Sequence, residues 1–341
     1  MLNDRPLVIL TAICAALFFV CPLTDVVAQD KKQNDSVLGE GHGIDHPGIL
    51  VHDLEGAKDT YRDTLGFWIQ PRGVATVLTS GTKTSNALFE DGSYLQLTAV
   101  DDLEKARLNR PAYLAFLEKH EGALGLVLNT SSAEGTARFL RARGLEVNDP
   151  QSRTVMPPGA KEMPPPTAWF VGFKKPVLPA DSIGFVQYAS ASAREEQIRQ
   201  ANATGRTHHA NTAKRIAAVW IVVRDLKAAT KAFALAGLDA GEVRKFPALG
   251  AAGREIEAGR GRIVLLEPKG KTGKAASFLA ERGEGIMGVS IEVSSLETAR
   301  ALLEKNTKQE FRSYAGGYGK SILIPAELAH GVLIEMFQKG R

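Results

Sequence analysis

Cysteine is almost absent: the chain has two, Cys14 and Cys21, both inside an apolar N-terminal stretch. A chain beginning after Ala28 would hold none. That excludes a disulfide framework and thiol catalysis, and it leaves stability to a hydrophobic core, which 341 residues can bury without covalent staples. A charge excess is lacking too, since 42 Lys and Arg stand against 38 Asp and Glu. A nucleic-acid footprint needs basic residues gathered on one face, so no nucleic-acid partner is expected. There is no Gly-x-Ser-x-Gly nucleophile elbow. Gly316, Gly317 and Gly319 with Lys320 lack the surroundings of a phosphate loop and read as a Gly-rich turn, and no nucleotide cofactor is expected.

The apolar run Leu7 to Val20 falls short of the roughly 20 residues that a membrane helix needs. Arg5 precedes it, Pro22 ends it, and Val26, Val27 and Ala28 offer small residues before Gln29. Residues 1–28 therefore predict a signal peptide and a periplasmic or secreted protein, with membrane anchoring only if the segment stays uncleaved. Phe18, Phe19 and Val20 ahead of Cys21 lack the small residue that lipidation favours. Residues 29–43, polar and without apolar period, read as a flexible spacer.

What is present is a repeated plan. A strand ending at Val51 leads through His52 and Asp53 into a helix with Leu54, Ala57, Tyr61 and Leu65 at helical spacing, closed by Gly66. Phe67 to Ile69, Val74 to Leu78, Asn86 to Phe89 and Tyr94 to Val100 follow between turn residues, giving strand, helix, three strands. The plan recurs. Val223, Arg224, Asp225 and Leu226 repeat Val51, His52, Asp53 and Leu54, and Phe233 falls where Tyr61 does. Glu121 to Leu126 with Ser131 and Ser132 returns as Glu284 to Val289 with Ser294 and Ser295. Two matches in one order indicate duplication.

Four units then start near Ile44, Gly122, Ile216 and Gly285. Two pair into a first domain, residues 44–189, and two into a second, residues 215–339, across a polar linker at 190–214 with a helical start at Ala193 to Ala201. In the second unit a helix over Ala133 to Arg143 precedes strands at Ala168 to Phe173 and Ile183 to Tyr188. The Pro-rich insertion Met156 to Pro166 between them reads as a stiff surface loop.

Ile44, Asp45 and His46 through Leu54, the helix ending Leu65 and Gly66, and the closing Asp91, Gly92 and Tyr94 to Leu97 resemble the glyoxalase-like members of the vicinal oxygen chelate superfamily. The resemblance implies an α+β fold: tandem vicinal oxygen chelate domains, four βαβββ units forming two half-open mixed-sheet barrels. It also implies a divalent metal held by a His on a unit's first strand and a Glu on its last, and a small oxygenated substrate for a lyase or isomerase. His46 stands at the first position of unit one and Gln96 at the second. The corresponding pairs are Gly125 and Gln187, Ala218 and Glu267, and Gly288 and Glu335. No unit holds both a His and a carboxylate.

Strand alternation sets Tyr94, Gln96 and Thr98 on one face, and Phe185 with Gln187 on another shared face. The expected pocket of the first domain therefore contains His46, Tyr94, Gln96, Phe185 and Gln187. His46 can equally be a turn histidine beside Pro47, and the glutamines can simply face water. Glu335, amid Val332 to Phe337, needs a partner if buried, as a metal ligand and catalytic carboxylate or in a salt bridge. Glu267 reads as a strand-end charge or a ligand. His209, in a stretch similar to the interdomain segment of the family, is a further candidate ligand. Two functions remain open: a metal-assisted lyase or isomerase, or a small-molecule binder that has lost the metal.

Overall fold

The structure is a computed structural model that describes residues 37–71, 74–75, 81–154, 165–179 and 182–340. The expected signal peptide and most of the Pro-rich insertion lie outside the described residues. Each half of the chain forms an eight-stranded mixed sheet. In the first, β1 (Ile44–Leu50), β2 (Val74–Ala75), β3 (Thr82–Leu88), β4 (Tyr94–Val100), β5 (Gly122–Asn129), β6 (Gln151–Arg153), β7 (Ala168–Gly172) and β8 (Ser182–Tyr188) lie in the order 2-3-4-1-5-8-7-6. The second repeats this with β9 (Ala213–Val222), β10 (Ala240–Phe246), β11 (Ala251–Ala258), β12 (Gly261–Pro268), β13 (Gly285–Val293), β14 (Tyr314–Ala315), β15 (Lys320–Ile324) and β16 (Leu333–Gln338), ordered 10-11-12-9-13-16-15-14. Within a unit the first and last strands run parallel, and the first strands of two units pair antiparallel at the sheet centre. The expected tandem α+β architecture is what forms.

The residues that betrayed the duplication are helix caps. The carboxylate of Asp53 accepts from Glu55 N and that of Asp225 from Ala228 N, at the starts of helices Leu54–Asp59 and Leu226–Leu235. Ser132 and Ser295 do the same with hydroxyls for helices Ala133–Ala142 and Leu296–Thr307. A cap satisfies an otherwise orphaned N–H and contributes about 1 kcal/mol. The first helix continues through a wider turn, Thr60–Thr64, and reverses at Gly66, whose φ of 77° suits glycine.

Two expectations change and a third is extended. Phe67 to Ile69 is irregular backbone rather than a strand, because its apolar side chains enter the core while Trp68 N donates to His209 Nδ1. The described end of the spacer, from Val37, is anchored before Ile44: Val37 and Leu38 are buried, and the Thr130 and Thr136 hydroxyls donate to Val37 O. The helical start of the linker forms as a helix over Ala191–Ala203, and the segment after it buries Thr207, His209 and Asn211.

One apolar cluster runs through both halves, joining Ile49 and Leu97 to Val219 and Leu265 through Tyr61, Phe139 and Phe233. Full burial of each large side chain contributes about 1.5–3 kcal/mol. Polar contacts seal the junction. Tyr61 Oη donates to Ala329 O, Asn211 Nδ2 donates to Leu65 O, and His330 Nδ1 bonds the Glu121 carboxylate at 2.7 Å. No helix among the described residues is long and apolar enough to cross a membrane.

Candidate functional site

The concave face of the first sheet encloses a cup of about 500 Å³. Its floor follows from strand alternation: His46, Gly48 and Leu50 of β1 and Tyr94, Gln96 and Thr98 of β4 point inward, while Ile49, Leu95 and Leu97 enter the core. Val186 and Tyr188 of β8, and Phe170 of β7, form the opposite wall.

At one end lies a constellation invisible to period-two reasoning. Neighbours in a strand normally face opposite ways, but β1 carries a bulge between Ile44 and His46, so Asp45 is the extra residue and turns toward its neighbour. Its buried carboxylate accepts from His46 Nδ1 at 2.6 Å and from the Tyr188 hydroxyl at 3.1 Å. His46 stacks on Tyr94 with ring centroids 4.3 Å apart, and its Nε2 has no hydrogen-bond partner among the described residues. The Arg194 guanidinium lies 4.6 Å from the Tyr188 ring centre. Burial first, then the neighbouring Tyr188 and Asp45 charges, raise the Tyr94 pKa well above its ordinary value. Burial and Asp45 do the same to Tyr188. Both hydroxyls therefore stay protonated at neutral pH. The clue in the sequence was Asp45 beside His46, but only a bulge gives it meaning.

Of the expected pocket residues, His46, Tyr94 and Gln96 line the cup and Phe185 and Gln187 do not. β8 is in the opposite phase. Gly184, Val186 and Tyr188 face inward, while Phe185 is wholly buried in the core and Gln187 Oε1 accepts from Ala133 N at 2.8 Å, capping a helix. Gln338 serves the last helix identically, accepting from Leu296 N. Register explains the slip. Gly125 pairs with Ser182 as Gly288 pairs with Leu333, so Gln187 matches Gln338 and the counterpart of Glu335 is Gly184. A side chain there is blocked, because a Cβ would lie 2.2 Å from the Phe170 ring.

The other candidates stand apart from the cup. Glu267 Oε1 accepts from Leu226 N, a helix-start contact, while Val264 takes the place of Gln96 in the second sheet. Glu335 is buried, accepting from the Ser290 hydroxyl at 2.6 Å and the Tyr314 hydroxyl at 2.7 Å. Burial and that carboxylate push the Tyr314 pKa up. Gly316 closes over it, since a Cβ there would lie 2.6 Å from Oε1. His209 is a junction residue: Nδ1 accepts from Trp68 N at 2.8 Å, Nε2 donates to Leu88 O at 3.1 Å, and burial pulls its pKa down to about 4.

These residues do not fit a divalent ion. Such an ion takes about four ligands and favours imidazole together with anionic oxygen. The four family positions of the cup hold His46, Gln96, Gly125 and Gly184, one imidazole, one neutral amide and two glycines. No group of three or more His, Cys, Asp or Glu among the described residues is arranged to hold a metal.

The second sheet has the same two central bulges, but among the described residues no comparable cup lies on it. Trp220 occupies the place of Gly48, Leu266 that of Thr98, Met287 that of Leu124 and Leu333 that of Ser182. These side chains form an apolar cluster with Leu249 and Ala275, the latter from the covering helix Lys274–Arg282.

The chain is similar to 4-hydroxymandelate synthase from Streptomyces coelicolor, in a mutant form, at 15% identity over 88% of this chain and 93% of that one, with a TM-score of 0.60. A hypothetical protein from Staphylococcus aureus is similar at 14% identity, 86% and 98% coverage and a TM-score of 0.57. Methylmalonyl-CoA epimerase from Mycobacterium tuberculosis aligns over 38% of this chain and 91% of its own, at 22% identity and a TM-score of 0.35. Identities this low speak for the fold alone. No curated protein matches. The glyoxalase-like domain pattern matches residues 44–237, more than half of the 341, and the chain therefore belongs to the glyoxalase-like domain family of the vicinal oxygen chelate superfamily.

Proposed function

We propose that the chain is a small-molecule-binding protein that works through the cup of its first domain, without a metal held by the protein. The lining carries this proposal: aromatic and amide groups surround a sizeable concavity, and the four family ligand positions supply one imidazole and no carboxylate. Hydrogen-bond donors and acceptors at Tyr94, Gln96 and His46 suit an oxygenated organic ligand. The test is metal analysis of the purified chain together with thermal unfolding in the presence of zinc, manganese or EDTA. Unchanged midpoints and a metal-free preparation are expected. A stoichiometric ion that raises the midpoint, and whose effect His46→Ala removes, would overturn the proposal.

Lyase or isomerase chemistry is supported by a different observation, the Asp45 and His46 pair. A buried carboxylate that holds Nδ1–H fixes the tautomer and leaves Nε2 able to accept a proton, as a general base requires. Deuterium wash-in at the methyl group of pyruvate, followed by NMR, tests for carbon-acid activity. A rate above buffer that is lost in both His46→Ala and Asp45→Asn is expected, and wash-in no faster than buffer rules out that activity on this probe.

We also propose export, on the composition of residues 1–28. The expected N-terminus of protein recovered outside the cytoplasm is Gln29; recovery only from cytoplasm with Met1 intact contradicts it.

A further inference from the structure

Among the described residues lining the cup none is Asp or Glu, whereas Arg110, Arg153 and Lys175 are there. The two arginines come from opposite flanks. Arg110 stands between helices Leu103–Asn109 and Pro111–Leu117, and Arg153 ends the edge strand β6. Neither has a carboxylate partner among the described residues. Arg110 donates to its neighbour's carbonyl, Asn109 O, and lies over the Tyr113 ring. Arg153 makes one long contact, 3.4 Å to Gln151 Oε1, and lies 5.5 Å from the Phe170 ring centre.

Several arginines elsewhere have a carboxylate. Arg215 pairs with Glu292, Arg141 with Asp149, and on the second sheet both Arg244 and Arg262 pair with Glu255. Arg194 and Arg282, which do not pair with one among the described residues, donate to backbone carbonyls brought from other parts of the chain, Gly92 O and Glu121 O. A partly buried guanidinium without a counter-charge is costly, and a second one nearby adds repulsion. Burial, and then the charge of Arg110, lower the pKa of Arg153, so the two heads lie close enough to sense each other. An anion between them would relieve both costs, and guanidinium forks match the oxygens of carboxylate, sulfonate or phosphate in paired hydrogen bonds. The lining also carries apolar and aromatic side chains, Phe170, Phe173, Leu124 and Val127, alongside the neutral polar groups of Asn148, Gln151 and Thr167.

We infer that the ligand of the cup is an amphiphilic organic anion, its charged oxygens held by Arg110 and Arg153 and its planar body laid along Phe170 and the strand floor. This rests on the first domain's cup being the binding site. The floor supplies donors at Tyr94 and Gln96 for any oxygen at the ligand's far end. A neutral ligand of the same shape would leave both guanidinium groups without a counter-charge.

Two fluorescent probes with one aromatic body separate charge from shape: 8-anilinonaphthalene-1-sulfonate, an anion, and N-phenyl-1-naphthylamine, which lacks the sulfonate. Both are titrated into the full chain, into the double variant Arg110→Gln, Arg153→Gln, and into Gly48→Trp. The cup should bind the anion more tightly by about tenfold or more, the range of a desolvated charge-assisted contact. The double variant should lose that preference while keeping its affinity for the neutral probe, which shows that the cup remains folded. Added salt should weaken the anion alone. Equal affinities, or a preference that survives the double variant, overturn the anionic assignment and leave the cup standing. Binding of both probes unaffected by Gly48→Trp overturns the cup itself, and so does failure of the unaltered chain to bind either probe.

Discussion

The two halves of the chain share a strand order, two bulges and four helix caps, yet among the described residues only the first keeps such a cup. The difference comes down to a few inward positions. Gly48 and Thr98 in one sheet correspond to Trp220 and Leu266 in the other, and the larger pair buries apolar surface that the smaller pair leaves open. Polar groups diverge in the same direction. Asp45 and His46 are replaced by Ala217 and Ala218, while the second sheet's own carboxylates, Glu255 and Glu335, are taken up by arginines, tyrosines and a serine. The frame is thus indifferent to whether its concave face binds or packs, and side-chain volume decides.

The largest expected effect comes from exchanging the key position. Trp220→Gly should destabilise the chain by about 3–5 kcal/mol or more, the cost of emptying a large aromatic site, read by chemical denaturation. Gly48→Trp should leave stability nearly intact, because a Cβ there meets nothing nearer than 4.0 Å, while abolishing probe binding. If Trp220→Gly opened a binding cup without loss of stability, the division between a packing half and a binding half would fall.

Next is the junction. His209 is neutral in the fold, with a pKa near 4 against 6.5 for a free imidazole, and protonated Nδ1 would confront the Trp68 N–H. A depressed pKa means that the histidine's contribution is full above pH 6.5 and is lost as pH falls toward 4. The loss should approach roughly 3 kcal/mol, since each pKa unit is worth about 1.4 kcal/mol. Denaturation at pH 7.5 and 4.5 measures it. His209→Gln should flatten the difference over that interval, and an unchanged slope would mean that the ring is not held in this way.

Within the second half, Tyr314→Phe removes one of the two hydroxyl donors to Glu335 and should cost about 1–3 kcal/mol, the penalty for an under-satisfied buried group. Probe binding should not change. Any effect on it would link the two concave faces.

The smallest effect tests the phase of β8. Gln187→Ala and Gln338→Ala should each cost about 1 kcal/mol through loss of the same helix-start acceptor, with no change in probe affinity. A selective loss of binding in Gln187→Ala would return that residue to the cup.

The architecture was legible because capping residues and glycine stops recur at matched spacing, and these act locally. His46, Tyr94 and Gln96 were assigned to the concave face because alternation along β4 has only two phases and the leucines choose one. The same reasoning failed on β8. Ser182 to Tyr188 carries apolar residues on both faces, so pattern alone does not choose the phase, and the register with β5 does. Asp45 was missed because a bulge breaks alternation without a local sequence signature. Arg110 and Arg153 lie 43 positions apart on opposite flanks, and nothing in their immediate surroundings marks them as neighbours. Glu335 drew attention as a buried carboxylate, but its partners Ser290 and Tyr314 come from other strands.

The apolar cluster shared by both halves has a consequence for how ligand is counted. A duplicated fold suggests two binding events per polypeptide, yet the second copy has turned its concave face into packing and its convex side into a permanent support for the first. The chain should saturate at a stoichiometry of one. Isolated residues 44–189 should not saturate at all, because Tyr61 and Phe139 would meet water where they now meet the second half.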